Sequence, residues 1–202
     1  MQLRQSHRGF SLIELMIALV VGLIVSGAAV ALVAAIGKSN SDTVRATRLT
    51  QELRATAEVI ARDMRRARSV SDPIANVSTD TGTMLTTCNT IDTATAGCVR
   101  YGYDCGGASQ TFNAVGKVGS KVYLKQSTTA MPACPTAADI LISSNTVNIT
   151  TLTFARVGTT DAYTINVAGQ LAYQPSVANS VTITNPTRTI SQEVRIRSAQ
   201  VQ

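Results

Sequence analysis

Between Leu15 and Ile36 the chain is apolar and uncharged. At about 1.5 Å per helical residue this stretch reaches about 33 Å, close to the roughly 30 Å hydrocarbon core of a bilayer. From Ser39 to Ser69 the pattern changes: Leu49, Leu53, Ile60, Met64 and Ala67 recur at helical spacings, while Arg45, Arg48, Glu52, Arg62 and Arg66 fall largely away from that stripe. No proline occurs before Pro73, so the pattern predicts one helix from about Ser11 to Ser69, stopped by Ser71-Asp72-Pro73. Its first half suits lipid or neighbouring helices, and its second half suits packing on a globular head. Glu58 and Arg62 stand in the favourable i, i+4 order for an ion pair.

Beyond Pro73 the composition turns to threonine, serine, asparagine and glycine with short β-branched runs. Val99 to Tyr103, Lys121 to Lys125, Ile140 to Ile142, Val147 to Val157, Tyr163 to Val167, Val181 to Thr184 and Ile190 to Ile196 read as strands. A hairpin is expected between Val181 to Thr184 and Ile190 to Ile196, across Asn185-Pro186-Thr187. The fold class is therefore α+β, a long N-terminal helix packed on an antiparallel β-sheet head. With 202 residues, one soluble domain remains after the apolar half of the helix is set aside.

Glu14 is out of place at the front of an apolar helix. A charged side chain inside a membrane helix costs about 2.5 to 3.5 kcal/mol on insertion scales, so such a residue calls for a partner or a position at the headgroups. Upstream lie Arg4, His7, Arg8 and Gly9, and Phe10-Ser11-Leu12-Ile13-Glu14-Leu15-Met16 follows. This basic leader, glycine, aromatic residue and Glu-containing apolar run resembles the class III signal of type IV pilins and type II secretion pseudopilins.

That resemblance implies cleavage between Gly9 and Phe10 by a prepilin peptidase, N-methylation of Phe10, and an assembly role for Glu14. The physical rationale is independent: a free amine in apolar surroundings needs a carboxylate, and pairing offsets much of the cost of burying either charge. The expected division is 1–9 leader, 10–37 membrane and assembly half of the helix, 38–70 amphipathic half, and 71–202 a β-rich head. The stem, the sheet and the closing Glu193-Val194-Arg195-Ile196-Arg197 are similar to PilW-like minor pilins and J-type pseudopilins. The resemblance thus implies a minor pilin that primes fibre assembly near a pilus tip. Its partners would be other major and minor pilins, prepilin peptidase, an assembly platform and the inner membrane. A secretion pseudopilin of a tip complex and an exported, membrane-anchored binding module are the alternatives.

Two further readings of the N-terminus compete. A secretory signal peptide has an apolar core of about 7 to 15 residues, shorter than the run here, although Ala29-Val30-Ala31 could supply a cleavage site. An unprocessed anchor leaves Gly9, Phe10 and Glu14 without explanation. Positive residues before the run place the N-terminus in the cytoplasm and export the head, although Lys38 and Arg45 beyond the run lessen the asymmetry.

The formal charge of +6 falls to +4 once Arg4 and Arg8 leave with the leader, and the excess lies between Lys38 and Arg68. Arg45, Arg48, Arg54, Arg62, Arg65, Arg66 and Arg68 could meet phosphates, but a run of this kind is more often a solvated helix face, and nucleic acid is not an expected partner. Gly22, Ser26, Gly27 and Ala31 would permit close helix approach.

Cys88, Cys98, Cys105 and Cys134 all lie in the expected head, and an even number in an exported domain reads as two disulfides. Three connectivities are possible; Cys88 with Cys98 and Cys105 with Cys134 is the expected one. Zinc is disfavoured, because the spacings contain no C-x-x-C pair. The single histidine, His7, sits in the leader, which leaves the mature chain without the base for a Ser-His-Asp or Cys-His site. The glycine-rich Gly102-Tyr103-Asp104-Cys105-Gly106-Gly107 lacks the strand-to-helix context of a nucleotide fingerprint, and Asp104 there reads as a turn residue. An enzyme is not expected, nor is a cofactor or a metal.

Overall fold

The computed structural model describes residues 11–69, 88, 90–106, 109–172 and 186–196. Among these residues a long helix, α1, runs Leu12–Met64, and seven strands follow it: β1 (Cys98–Tyr103), β2 (Thr111–Val118), β3 (Lys121–Ser127), β4 (Ile140–Leu141), β5 (Val147–Arg156), β6 (Ala162–Leu171) and β7 (Arg188–Arg195). The chain divides into two units, Met1–Arg45 and Ala46–Gln202. In the first, α1 is long and apolar enough to cross a membrane, and none of its apolar window is buried.

The second unit is the α+β head. Strands β1 to β4 form an antiparallel sheet in sequence order, and β5 to β7 form a second one, also in sequence order. The stripe on α1 is the seam against which both sheets pack. Leu49, Leu53, Ile60, Met64 and Ala67, with Ala57 and Ala61, are buried beside Val99, Tyr101, Val115 and Val122 of the first sheet and Leu152, Ile165, Val167 and Val194 of the second. Alternation along β5 to β7 produces the inner face: Leu152, Val167 and Ile190 are register partners, as are Phe154, Ile165 and Gln192. Lys121 joins the sheets at one end, its Nζ donating to the carbonyls of Ser144, Asn145 and Val147 at 3.0, 3.0 and 2.6 Å.

Several expectations change. The helix stops at Met64, not near Ser69: Arg66 and Ala67 donate to Asp63 and Met64 carbonyls in a tightened turn, and Arg68 takes φ 62°. The amide of Arg68 then donates to Gly102 O at 2.8 Å, so β1 captures the chain before the expected stop at Ser71-Asp72-Pro73, which lies outside the described residues. Strand β2 went unforeseen because Asn113 and Gly116 interrupt its apolar pattern. Both are required by packing: Asn113 is fully buried against Asp63, and a Cβ on Gly116 would stand 3.0 Å from Pro135. Strand β7 pairs with β6; Val181 to Thr184, its expected hairpin partner, lies outside the described residues. Glu58 and Arg62 are both exposed and do not pair with each other.

Candidate functional site

The N-terminal end of α1 is built from its own backbone. Ser11 O accepts from the amides of Glu14 at 3.0 Å and Leu15 at 3.2 Å, which makes Ser11 the cap and Glu14 the third helical residue. A carboxylate in the first turn of a helix has the sign that complements the positive end of the helix dipole. Glu14 is exposed, as is every residue from Ser11 to Val44. Gly9 and Phe10 lie outside the described residues.

Among the described residues, nothing covers the apolar side chains beyond Glu14. Leu12, Leu23, Ile24 and Val30 are 67 to 78% exposed, and eleven more large apolar residues between Ile13 and Ile36 are at least half exposed. At about 1.5 to 3 kcal/mol for each such side chain fully buried, removal from water is worth tens of kcal/mol. Lipid or other apolar helices must cover this surface. A Cβ added at Gly22 or Gly27 would meet nothing within 4 Å, so both positions are open to close approach, and the polar Ser26 is satisfied internally by Gly22 O at 2.8 Å.

The four cysteines form two disulfides, but the pairs are Cys88–Cys105 and Cys98–Cys134 rather than those expected. Cys98 opens β1 and Cys105 lies just past its end, so the two are separated by the length of an extended strand, about 20 Å. Cys88 sits at the Cys105 end, where its Sγ would be 2.7 Å from a Cβ on Gly102, and is out of reach of Cys98. Cys98 meets Cys134 in the connection from β3 to β4 instead. No cysteine is left free.

The glycine-rich segment after Tyr103 is a turn: Asp104 and Gly106 have φ of 53° and 78°, and the amide of Asp104 donates to Ser69 Oγ at 3.0 Å. Gly107 lies outside the described residues. Of the seven arginines that could meet phosphates, Arg68 is only 8% exposed and is engaged by Asp161, and Arg66 stacks over Tyr103 with 4.3 Å to the ring centroid. Arg45 is half-buried; Arg48, Arg54, Arg62 and Arg65 are exposed.

Sequence reasoning missed a buried polar cluster. Tyr101 and Asn113 are register partners on β1 and β2, and both donate to Asp63 Oδ2 of α1, each at 2.5 Å. Burial first, and the Asp63 charge next, push the Tyr101 phenol well above its ordinary value. Nothing local marks this cluster, because it forms only once β2 is placed beside β1.

No curated protein and no solved structure matches the chain. The prokaryotic N-terminal methylation motif matches residues 4–30, spanning Gly9, Phe10, Glu14 and the first turns of α1. The model of prepilin peptidase-dependent protein B matches residues 42–196, from the amphipathic half of α1 to the end of β7. With that match over most of its length and the methylation motif at its head, the chain belongs to the prepilin peptidase-dependent protein B family and is a pilin-like protein.

Proposed function

We propose that this protein is a minor pilin that is cut between Gly9 and Phe10, methylated on Phe10, and drawn from the inner membrane into a fibre whose assembly it helps to start near the tip. The observation that carries this reading is the arrangement at the head of α1. An N-terminal methylation motif leads directly into an apolar helix with a carboxylate in its first turn and, among the described residues, no cover for its apolar side chains.

Each part then has a physical task. The basic leader holds the N-terminus in the cytoplasm, and the head stands in the periplasm, where its cysteines oxidise. Cleavage frees an amine next to an apolar surface. The Glu14 carboxylate of an adjoining subunit neutralises that amine, lowers the cost of leaving water and sets the axial register between subunits. Apolar helices of other pilins replace lipid around the residues from Leu15 to Ile36. The protein's role is mechanical and structural, and the assembly platform supplies the energy. A PilW-like place among minor pilins accords with the stem and sheet layout.

Intact mass of the protein purified from its own cells tests this reading. The expected species begins at a methylated Phe10, and a chain retaining Met1 while the peptidase is active overturns it. A deletion strain separates the fibre classes: loss of surface pili supports the pilus role, and loss of secretion with intact pili assigns the protein to a secretion system. Loss of neither assigns it to a membrane-anchored binding module.

A further inference from the structure

Within the head, α1 covers only part of the first sheet and leaves a groove of about 380 Å³ beside the sheet's β4 edge. Its apolar walls are Val59 of α1, Val115 of β2, Leu124 of β3 and Ile142 just after β4, and its charged lining is Glu58, Arg62, Asp63 and Arg66. The volume lies at the small end of the range for ligand pockets, about 300 to 1,000 Å³, and admits side chains rather than a large cofactor. Apolar exposure continues beyond the groove: Val59, Ile140 and Leu141 are 51, 55 and 39% exposed. Ile140 is the register partner of Leu124 and so shares the face that lines the groove.

Two features define what fits. Strand β4 is two residues long and forms the edge of its sheet, and among the described residues nothing pairs with its outer side. An extended segment can add there, sending alternate side chains into the groove. The surrounding charge is positive. Arg54, Arg62 and Arg65 are exposed on the helix and the turn that follows it, Arg66 is engaged over Tyr103 and by Asp104, and of the two carboxylates at the groove Glu58 is exposed while Asp63 accepts from Tyr101 and Asn113. Among the described residues, Arg62 has no ion-pair or hydrogen-bond partner. Arginine beside an apolar pocket is the composition of a protein interface, with a planar donor set that matches carboxylates.

We propose that this groove receives an extended segment of another protein in which branched apolar residues alternate with Asp or Glu. The apolar residues fill the space between Val59 and Leu124, and the intervening carboxylates meet Arg62 and its neighbours. A second copy of this chain is a poor occupant. Its exposed apolar edge, Ile140 and Leu141, is preceded by Asp139, but that carboxylate is already taken by the amide and hydroxyl of Thr136 at 2.7 and 2.9 Å. Asp139 therefore caps its own turn and is not presented to Arg62. Two copies would also bring two arginine-rich faces together.

The test uses the full mature chain in phosphatidylcholine nanodiscs, which carry no anionic headgroups, and fluorescence anisotropy with labelled synthetic octapeptides. A peptide alternating isoleucine with glutamate should bind saturably. Val59→Asp and Arg62→Glu should each weaken binding at least tenfold while both disulfides and the circular dichroism spectrum persist. Peptides alternating isoleucine with lysine, or glycine with glutamate, should bind at least tenfold more weakly.

Failure of the isoleucine and glutamate peptide to bind overturns the proposal. Equal binding by the glycine and glutamate peptide or by a single-stranded DNA oligonucleotide overturns it in favour of a general polyanion surface. A dimer in sedimentation that Val59→Asp dissociates assigns the groove to a second copy and also overturns it. The proposal stands apart from the fibre reading: an N-terminus left uncut would sink that reading and leave these binding results unchanged.

Discussion

Arg68 Nη1 donates to Asp161 Oδ1 at 2.8 Å, which joins the turn after α1 to the β5–β6 connection within the head. The arginine is 8% exposed and the aspartate 32%. Arg68 also gives its amide to Gly102 O, so one residue in the left-handed region ties together the end of the helix, the first sheet and the second. Breaking a buried pair leaves an uncompensated charge, although partial exposure of Asp161 moderates the loss. Arg68→Met should lower stability by about 1 to 3 kcal/mol. Arg156 Nη2 stays 3.5 Å from Asp161 Oδ1, so the loss is partial, and adding Asp161→Asn should recover some of it by removing the charge that Arg68 no longer meets. Urea unfolding midpoints measure both, and a double variant no better than the single one contradicts the ion-pair account.

Disulfide connectivity makes a sharp prediction for a tryptic digest under non-reducing conditions. Cleavage after Arg68, Arg100, Lys117, Lys125 and Arg156 places Cys88 and Cys98 on one peptide, 69–100, with Cys105 on 101–117 and Cys134 on 126–156. The observed pairs predict one species in which 69–100 is linked to both other peptides. A free 69–100 with an internal disulfide, beside a 101–117 and 126–156 conjugate, would establish the alternative pairing. Loop-closure entropy assigns about 3 to 4 kcal/mol to each bond at these separations, so dithiothreitol should lower the unfolding temperature markedly.

Processing and assembly should separate at two positions. Gly9→Ala is expected to leave the leader attached, seen as slower migration on a gel, and unchanged migration would count against the cleavage site. Glu14→Ala should still be cut and yet enter fibres poorly, because the neighbouring amine loses its carboxylate. Normal incorporation of Glu14→Ala would reduce Glu14 to a helix-cap role.

Alkaline pH should weaken the head through Tyr101. Its folded pKa is raised, chiefly by burial and then by Asp63, so the unfolded chain releases this proton first. The stabilising contribution is complete below the unfolded value of about 10 and declines as pH rises beyond it. Tyr101→Phe should flatten that decline, while costing about 1 kcal/mol at neutral pH for the lost hydrogen bond to Asp63. Thermal melts of both proteins between neutral pH and pH 11 decide the matter, and parallel pH profiles refute the assignment.

The groove and the cluster at Asp63 show what lay beyond local pattern. Asp63 reads as one more charge on a helix rich in them, and Asn113 reads as a break in a strand. Only the register that sets Tyr101 opposite Asn113 turns the three into one buried hydrogen-bonded group. The same holds for the space between Val59 and Leu124, whose side chains are 65 positions apart in the chain and belong to different layers.

Local periodicity sufficed for the apolar run from Leu15 to Ile36, the buried stripe from Leu49 to Ala67 and most of the strands. These depend on neighbours one to four residues away, where side-chain direction follows directly from backbone repeat. Where α1 ends, that Thr111–Val118 is a strand, and which cysteine meets which were decided by tertiary structure. Each depends on a distant partner: Gly102 for the amide of Arg68, Asp63 and Pro135 for Asn113 and Gly116, and the length of β1 for the disulfides. Contacts between segments far apart in sequence carry no period, so residue order alone leaves them open.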